Sequence, residues 1–152
     1  MYKKVLVPLD GSKLAEVALQ HVEQLAWELG SSLILLRVVR PPRSVEYPWP
    51  EKMMALNQEL EAGFKREARS YLAARRGELS NKNVEASTHI MVSEDVANAI
   101  LDYSEQERVD LIAMSTHGRS GVGRWVYGSV AERVLRGATC PVLLIRAKRE
   151  GQ

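Results

Sequence analysis

Four short, largely apolar runs and a fifth broken by polar residues punctuate the chain, and stretches with apolar residues every three or four positions separate most of them. A run that is apolar at every residue suits a strand buried on both faces, whereas three- and four-residue spacing suits a helix with one buried face. Val5-Leu6-Val7-Pro8-Leu9, followed by Asp10-Gly11-Ser12, predicts a buried strand entering a turn, with Ser12 placed to cap the next helix. Ala15, Ala18, Leu19, Val22, Leu25, Ala26 and Leu29 keep helical spacing up to Gly30, and residues 32–39 (SLILLRVV) predict the second strand. Residues 40–50 hold four of the six prolines, Pro41 and Pro42 adjacent, so neither helix nor strand continues there.

Residues 51–76 predict a long amphipathic helix with Met53, Leu56, Leu60, Phe64, Ala68, Tyr71 and Leu72 on one stripe, ended by a polar break over 77–83. Residues 84–91 (VEASTHIM) predict a strand interrupted by polar residues. Ser93, Glu94 and Asp95 open a helix that turns Val96, Ala99, Ile100 and Tyr103 inward and runs to about Arg108. Residues 109–114 (VDLIAM) are the fourth strand, followed by a loop over 115–127. Ser129 and Glu132, three apart, read as the capping box of a helix that ends at Gly137. Residues 141–146 (PVLLIR) are the last strand.

This alternation predicts an α/β fold: one open five-stranded parallel sheet, helices on both faces, the last strand at the edge. The domain spans 1–147, and 148–152 form a charged tail. Such sheets bind ligands beyond the carboxyl ends of their strands where the strand order reverses, which collects 8–12, 38–42 and 114–129 on one rim.

At 152 residues with 45% hydrophobic and 26% charged positions, the chain is long enough for one self-sufficient core and too apolar for disorder. A net charge of +2 argues against a nucleic-acid or membrane partner, and Arg66, Arg69, Arg75 and Arg76 alternate with acids as on a solvated helix face. Cys140 is the sole cysteine, which excludes an internal disulfide or a thiolate metal cluster. The first apolar run is too short for a signal-peptide core, so the expected location is cytoplasmic.

The loop Ser115–Ser129 (STHGRSGVGRWVYGS) carries most of the chemistry: four glycines and two arginines between a buried strand and a helix start. Glycines let backbone amides approach an anion, and the helix start adds free N–H groups and a partial positive charge. Three or four charge-assisted bonds to phosphate, each roughly 1.5–3 kcal/mol, reach micromolar affinity after ordering costs. The alternative is a surface loop whose glycines only permit turns. No Walker-type G-x-x-x-x-G-K-[ST] occurs, and Gly121-Val122-Gly123 lacks the third glycine of a dinucleotide fingerprint, with Val126 in its place.

Three blocks resemble the universal stress protein family: Lys3-Lys4-Val5-Leu6-Val7-Pro8-Leu9-Asp10-Gly11-Ser12, then 112–121 (IAMSTHGRSG), then 128–145 (GSVAERVLRGATCPVLLI). The resemblance implies the adenine nucleotide alpha hydrolase-like fold and, in the branch marked by G-x-x-G, nine residues and G-[ST], ATP binding. Gly118 and Gly128-Ser129 match that pattern; Ser115 replaces its first glycine, where a side chain either crowds the ribose and phosphate or adds a hydrogen bond. By resemblance, Pro8, Leu9 and Asp10 line the adenosine, and the backbone of Val39 reads adenine. Met114, Ser115, His117 and Gly118 flank the ribose and α-phosphate. Arg119, Gly128, Ser129 and Val130 meet the β- and γ-phosphates, with Arg124 a rim contact. Mg²⁺ would be recruited by the phosphates, and ADP or AMP are alternative ligands. The resemblance further implies a homodimer through Val142, Leu143, Leu144 and Ile145, an edge strand whose ladder groups invite pairing.

No G-x-S-x-G elbow appears and nothing arranges Ser, His and Asp as a relay, so at most weak ATP hydrolysis or self-phosphorylation is expected. His21 and His89 receive no role. Tyr47 and Trp49 either fold over a base or pack on the long helix. Two function classes remain open: an ATP-binding stress or signalling module, and a nucleotide-free homodimeric interaction protein.

Overall fold

The structure, a computed structural model, describes residues 1–43, 49–117 and 128–147. Its elements are β1 (Lys4–Pro8), α1 (Lys13–Leu29), β2 (Ser32–Val39), α2 (Pro50–Asn81), β3 (Ala86–Val92), α3 (Val96–Gln106), β4 (Leu111–His117), α4 (Ser129–Gly137) and β5 (Val142–Ala147). All strand pairs are parallel, in the order β3-β2-β1-β4-β5. The alternation of strand and helix in the sequence leads to this arrangement, because each βαβ crossover lays a helix across one face of the sheet.

Side chains of one strand alternate between two cores. Val5, Val7, Leu33, Leu35, Leu111 and Ala113 pack against Ala18, Leu19 and Val22 of α1 and Leu72 and Leu79 of α2. Leu6, Ile34, Leu36, Ile112 and Met114 pack against Ala97, Ile100 and Tyr103 of α3 and Ala131 and Val134 of α4. Central strands buried on both faces explain the continuous apolar runs.

Four local expectations change. The helix expected to stop before Gly77 continues to Asn81, because Leu79 extends the buried series of Ala68 and Leu72 and sits 1% exposed. One buried leucine, about 1.5–3 kcal/mol, outweighs the cost of about 1 kcal/mol for glycine inside a helix. The upper half of the predicted α2 stripe is uncovered: Leu56, Leu60 and Phe64 are 46%, 43% and 41% exposed. Trp49 precedes α2 and is exposed rather than packed on it, while Tyr47 lies outside the described residues. Strand β4 includes Ser115, Thr116 and His117, expected in the loop, since β5 pairs with them as far as His117↔Ala147.

A fifth concerns α4. Gly128 is its N-cap and Ser129 its first helical residue, so the Ser129/Glu132 capping box does not form. Glu132 instead pairs with Arg136 at 2.9 Å. Ser12 behaves as expected, accepting from Ala15 N–H at 3.1 Å.

Gly77 is exposed, and a Cβ added there would meet nothing within 4 Å. Gly77→Ala should therefore stabilise the protein by about 0.5–1 kcal/mol, raising Tm by about 1–4 °C in a thermal melt. An unchanged or lower Tm would mean that the helix is not continuous there.

Candidate functional site

Strand β1 lies between β2 and β4, and the chain reverses its order of strand addition there, so the carboxyl ends of β1 and β4 diverge and leave a crevice. A cleft of about 250 Å³ fills it. Its floor is Pro8, Leu9 and Asp10 beyond β1, and Met114 and Ser115 of β4. Leu36 and Val38 of β2, Leu14 and Ala15 of α1, and Val96 and Ile100 of α3 form the walls. Gly128, Ser129, Val130 and Ala131 close one side. The walls are mostly apolar, as in small-molecule sites, with polar groups confined to Asp10, Ser12, Ser115, Ser129 and backbone.

Asp10 is held in a turn: its Oδ1 accepts from the Ser12 N–H at 2.9 Å and from the Ser12 hydroxyl. Gly11, between them, has φ +86°, a conformation that favours glycine, and a Cβ there would sit 3.5 Å from the Arg37 guanidinium. Arg37 lines an adjoining groove of about 430 Å³ with Val39, Phe64 and Glu67; the groove shares Asp10, Val38, Val96 and Val130 with the cleft. The buried Nε of Arg37 has no hydrogen-bond partner among the described residues.

Ser115 lines the cleft, and its Oγ accepts from the Ala18 N–H of α1 at 2.9 Å, which anchors the hydroxyl oxygen to α1. At Gly128 an added Cβ would meet none of the described residues within 4 Å, and among them no side chain caps the start of α4. The first amides of α4 are therefore left without a partner by the described residues, with the positive end of the helix behind them.

Val38 and Val39 differ by ladder parity. In a parallel ladder both backbone groups of one residue bond to the same neighbouring strand, and successive residues alternate sides. Ser32 and Leu36 bond to β1, whereas Leu33 and Val39 bond to β3, the Val39 carbonyl accepting from Ser93 N–H at 3.0 Å. The β1 ladder ends with Leu9 N–H donating to the Leu36 carbonyl at 2.8 Å. The N–H and C=O of Val38 thus point past the end of β1, over the cleft. Val39 itself is 6% exposed and faces the adjoining groove.

The structure therefore gathers Pro8, Leu9, Asp10, Met114, Ser115, Gly128, Ser129 and Val130 around one cleft, with Val39 beside it. His117 closes β4; Gly118, Arg119 and Arg124 lie outside the described residues. The sequence places Val38 on the rim but gives it no role, and Val96 and Ile100 were missed. Their signal was present as apolar residues at a strand's carboxyl end and at the start of α3, yet apolar residues in such places read first as core.

Arg133 braces the closing side. Its Nη1 and Nη2 each donate to one carboxylate oxygen of Asp95 at 2.8 Å, and Asp95 also caps α3 by accepting from Asn98 N–H at 3.1 Å. The Arg133 bonds, then the Asn98 amide, hold the Asp95 carboxyl below its ordinary range, and Asp95 raises Arg133 in turn. A depressed carboxylate contributes its stabilisation above the unfolded pKa, so the clamp is intact at neutral pH and opens only in acid.

Among the described residues no group of three or more His, Cys, Asp or Glu could hold a metal ion, and no helix is long and apolar enough to cross a membrane.

The fold and cleft define a doubly wound α/β protein with a ligand-sized site at its switch point. The sequence profile of the universal stress protein family matches residues 1–146, and the chain belongs to that family. It is 33% identical to universal stress protein MJ0531 of Methanocaldococcus jannaschii over 150 residues, 99% of this chain and 85% of that one. The solved structure of MJ0577, from the same organism, superposes with a TM-score of 0.80 at 29% identity, covering 99% of both chains. A universal stress protein of Archaeoglobus fulgidus, solved in complex with dAMP, shares the fold at a TM-score of 0.63 and 20% identity over 95% of this chain and 98% of its own.

Proposed function

We propose that this protein holds an adenine nucleotide, ATP in the first instance, as a cytoplasmic stress-response or signalling module whose bound state alters the surface it offers to partners. The observation that carries the reading is the start of α4 at Gly128, which none of the described residues crowds or caps, lining an apolar switch-point cleft. In this reading the adenosine lies between Asp10, Val38 and Met114, with the backbone of Val38 reading the base. The phosphates run toward Gly128, Ser129 and Val130, where amide donors and the helix dipole favour negative charge. Arg119, His117 and Gly118 complete the phosphate side by family resemblance, and the phosphates bring Mg²⁺ with them.

Bonded to Ala18, Ser115 supports a nucleotide-bound reading over a nucleotide-free interaction protein, because its oxygen is already engaged by the α1 backbone. That an adenine nucleotide occupies a protein of this fold, as dAMP does in the A. fulgidus relative, agrees with it. A homodimer through β5 belongs to the same proposal: β5 pairs with β4 on one side only, and its Leu143 is 38% exposed.

Protein denatured as purified should release an adenine nucleotide identifiable by absorbance and mass, and stripped protein should show heat and a thermal shift with ATP, ADP or AMP. Silence with all three would end the reading. Arg133→Ala should weaken ATP about two- to fivefold by loosening the start of α4 from α3, with little change in Tm, since a solvent-exposed ion pair contributes little to stability. Calorimetric titration of that variant checks it.

A further inference from the structure

Helix α2 is longer than the sheet it covers. Its 32 residues span about 48 Å at about 1.5 Å per residue, whereas the eight residues of β2 span about 26 Å. Leu79 packs near the amino ends of the strands, beside Leu33 and Leu111, and Phe64 reaches the level of Val38 and Val39 at their carboxyl ends. The part before Phe64, about 20 Å of helix, therefore projects beyond the rim. That projection carries Trp49, Leu56, Leu60 and Phe64 at three- and four-residue spacing, each at least 41% exposed, with Met53 half-buried in the same row. Scattered exposed apolar residues need no explanation, but a row of five on one helix face marks a contact surface.

Charge on the flanks of the row selects the occupant. Glu59 and Glu61 lie on the amino-terminal side of Gly63; Lys65 and Arg66 lie on the carboxyl-terminal side. The Arg66 guanidinium comes within 3.8 Å of where a Gly63 Cβ would sit, beside the row, and Lys65 reaches Glu61 at 2.9 Å on the exposed surface. A second, antiparallel copy of this helix crossing near Gly63 sets Glu59 and Glu61 of each copy opposite Arg66 and Lys65 of the other. A parallel copy opposes like charges instead. Gly63, with no side chain, also permits close approach of two helices.

We infer that the projecting half of α2 is a self-association surface, a two-fold antiparallel helix pair centred near Gly63. It is distinct from the β5 edge, which lies at the far side of the sheet from β2 and β3, where α2 packs. The contact is independent of nucleotide.

The test measures the solution mass of the full chain by light scattering, without added nucleotide. Leu60→Glu should halve the mass of the wild type while leaving the thermal melt in place, because Leu60 is outside the core. Glu59→Arg should weaken association at least tenfold, and Glu59→Arg with Arg66→Glu should restore it, which a loss of generic stickiness would not produce. In a Cys140→Ser background, Gly63→Cys should form an interchain disulfide under mild oxidation and Glu51→Cys should not. A monomeric wild type, an unchanged mass in Leu60→Glu, or equal cross-linking at 51 and 63 would each overturn the inference, the first two pointing to a different partner for the row.

Discussion

Gly128→Val should abolish nucleotide binding, by 100-fold or more, and leave the fold standing. The backbone at Gly128 has φ −58° and ψ 149°, an extended conformation open to any residue, so valine fits the main chain without strain. A Cβ there meets none of the described residues within 4 Å, and two further methyls would project toward the first amides of α4. Phosphate oxygens placed there would be pushed beyond hydrogen-bonding distance. Losing two charge-assisted bonds of roughly 1.5–3 kcal/mol each takes a micromolar ligand out of measurable range. Valine is also a poorer N-cap than glycine, a cost of about 1 kcal/mol that a melt would record as a small drop in Tm. Gly128→Ala should fall between the two proteins. Calorimetric titration with ATP, paired with a thermal melt, separates site loss from unfolding. Binding within threefold of wild type would place the phosphates elsewhere and remove the main support for the proposed function.

The elements and sheet class are legible in the sequence because they rest on local patterning. Leu33 to Leu36 are apolar on every residue since α1 and α2 cover one face and α3 the other, as a strand buried on both faces requires. Ser12 caps α1 through a bond to a residue three positions away, an interaction within the reach of sequence reading. What escaped was settled by partners distant in sequence. Whether Val38 or Val39 presents its backbone to the cleft depends on the register of β2 against both neighbours and on where β1 stops, and neither is encoded within residues 32–39. Ser115 reads as a loop residue until β5 pairs with it, and its hydroxyl reads as a threat to a ligand until α1 supplies a donor. The stripe on α2 reports that a helix has an apolar face but not what covers it: the sheet does so from Ala68 onward and leaves Leu56 and Leu60 bare. The capping box failed because Gly128 took the cap position, which is also what leaves the α4 amides open to a ligand.

Ladder parity leads to the second large effect, discrimination at the base. If the N–H and C=O of Val38 read the edge of adenine, the N–H meets the N1 acceptor and the C=O meets the N6 amino donor. Hypoxanthine reverses both, with a donor at N1 and an acceptor oxygen at position 6. ITP therefore carries the same ribose and triphosphate as ATP but would set donor against donor and acceptor against acceptor at Val38. Each of the two mismatched buried groups costs about 1–3 kcal/mol, so ITP should bind about 30-fold to 25,000-fold more weakly than ATP. The phosphate contacts cancel in this comparison, which isolates base reading from the contribution of α4. Competition of ITP against a fluorescent adenine nucleotide measures the ratio directly. Equal displacement by ATP and ITP would mean that Val38 is not the reader, even with the phosphates seated at Gly128. A Gly128→Val loss combined with strong ATP preference in the wild type would place both ends of the ligand, since the two results depend on opposite walls of the cleft.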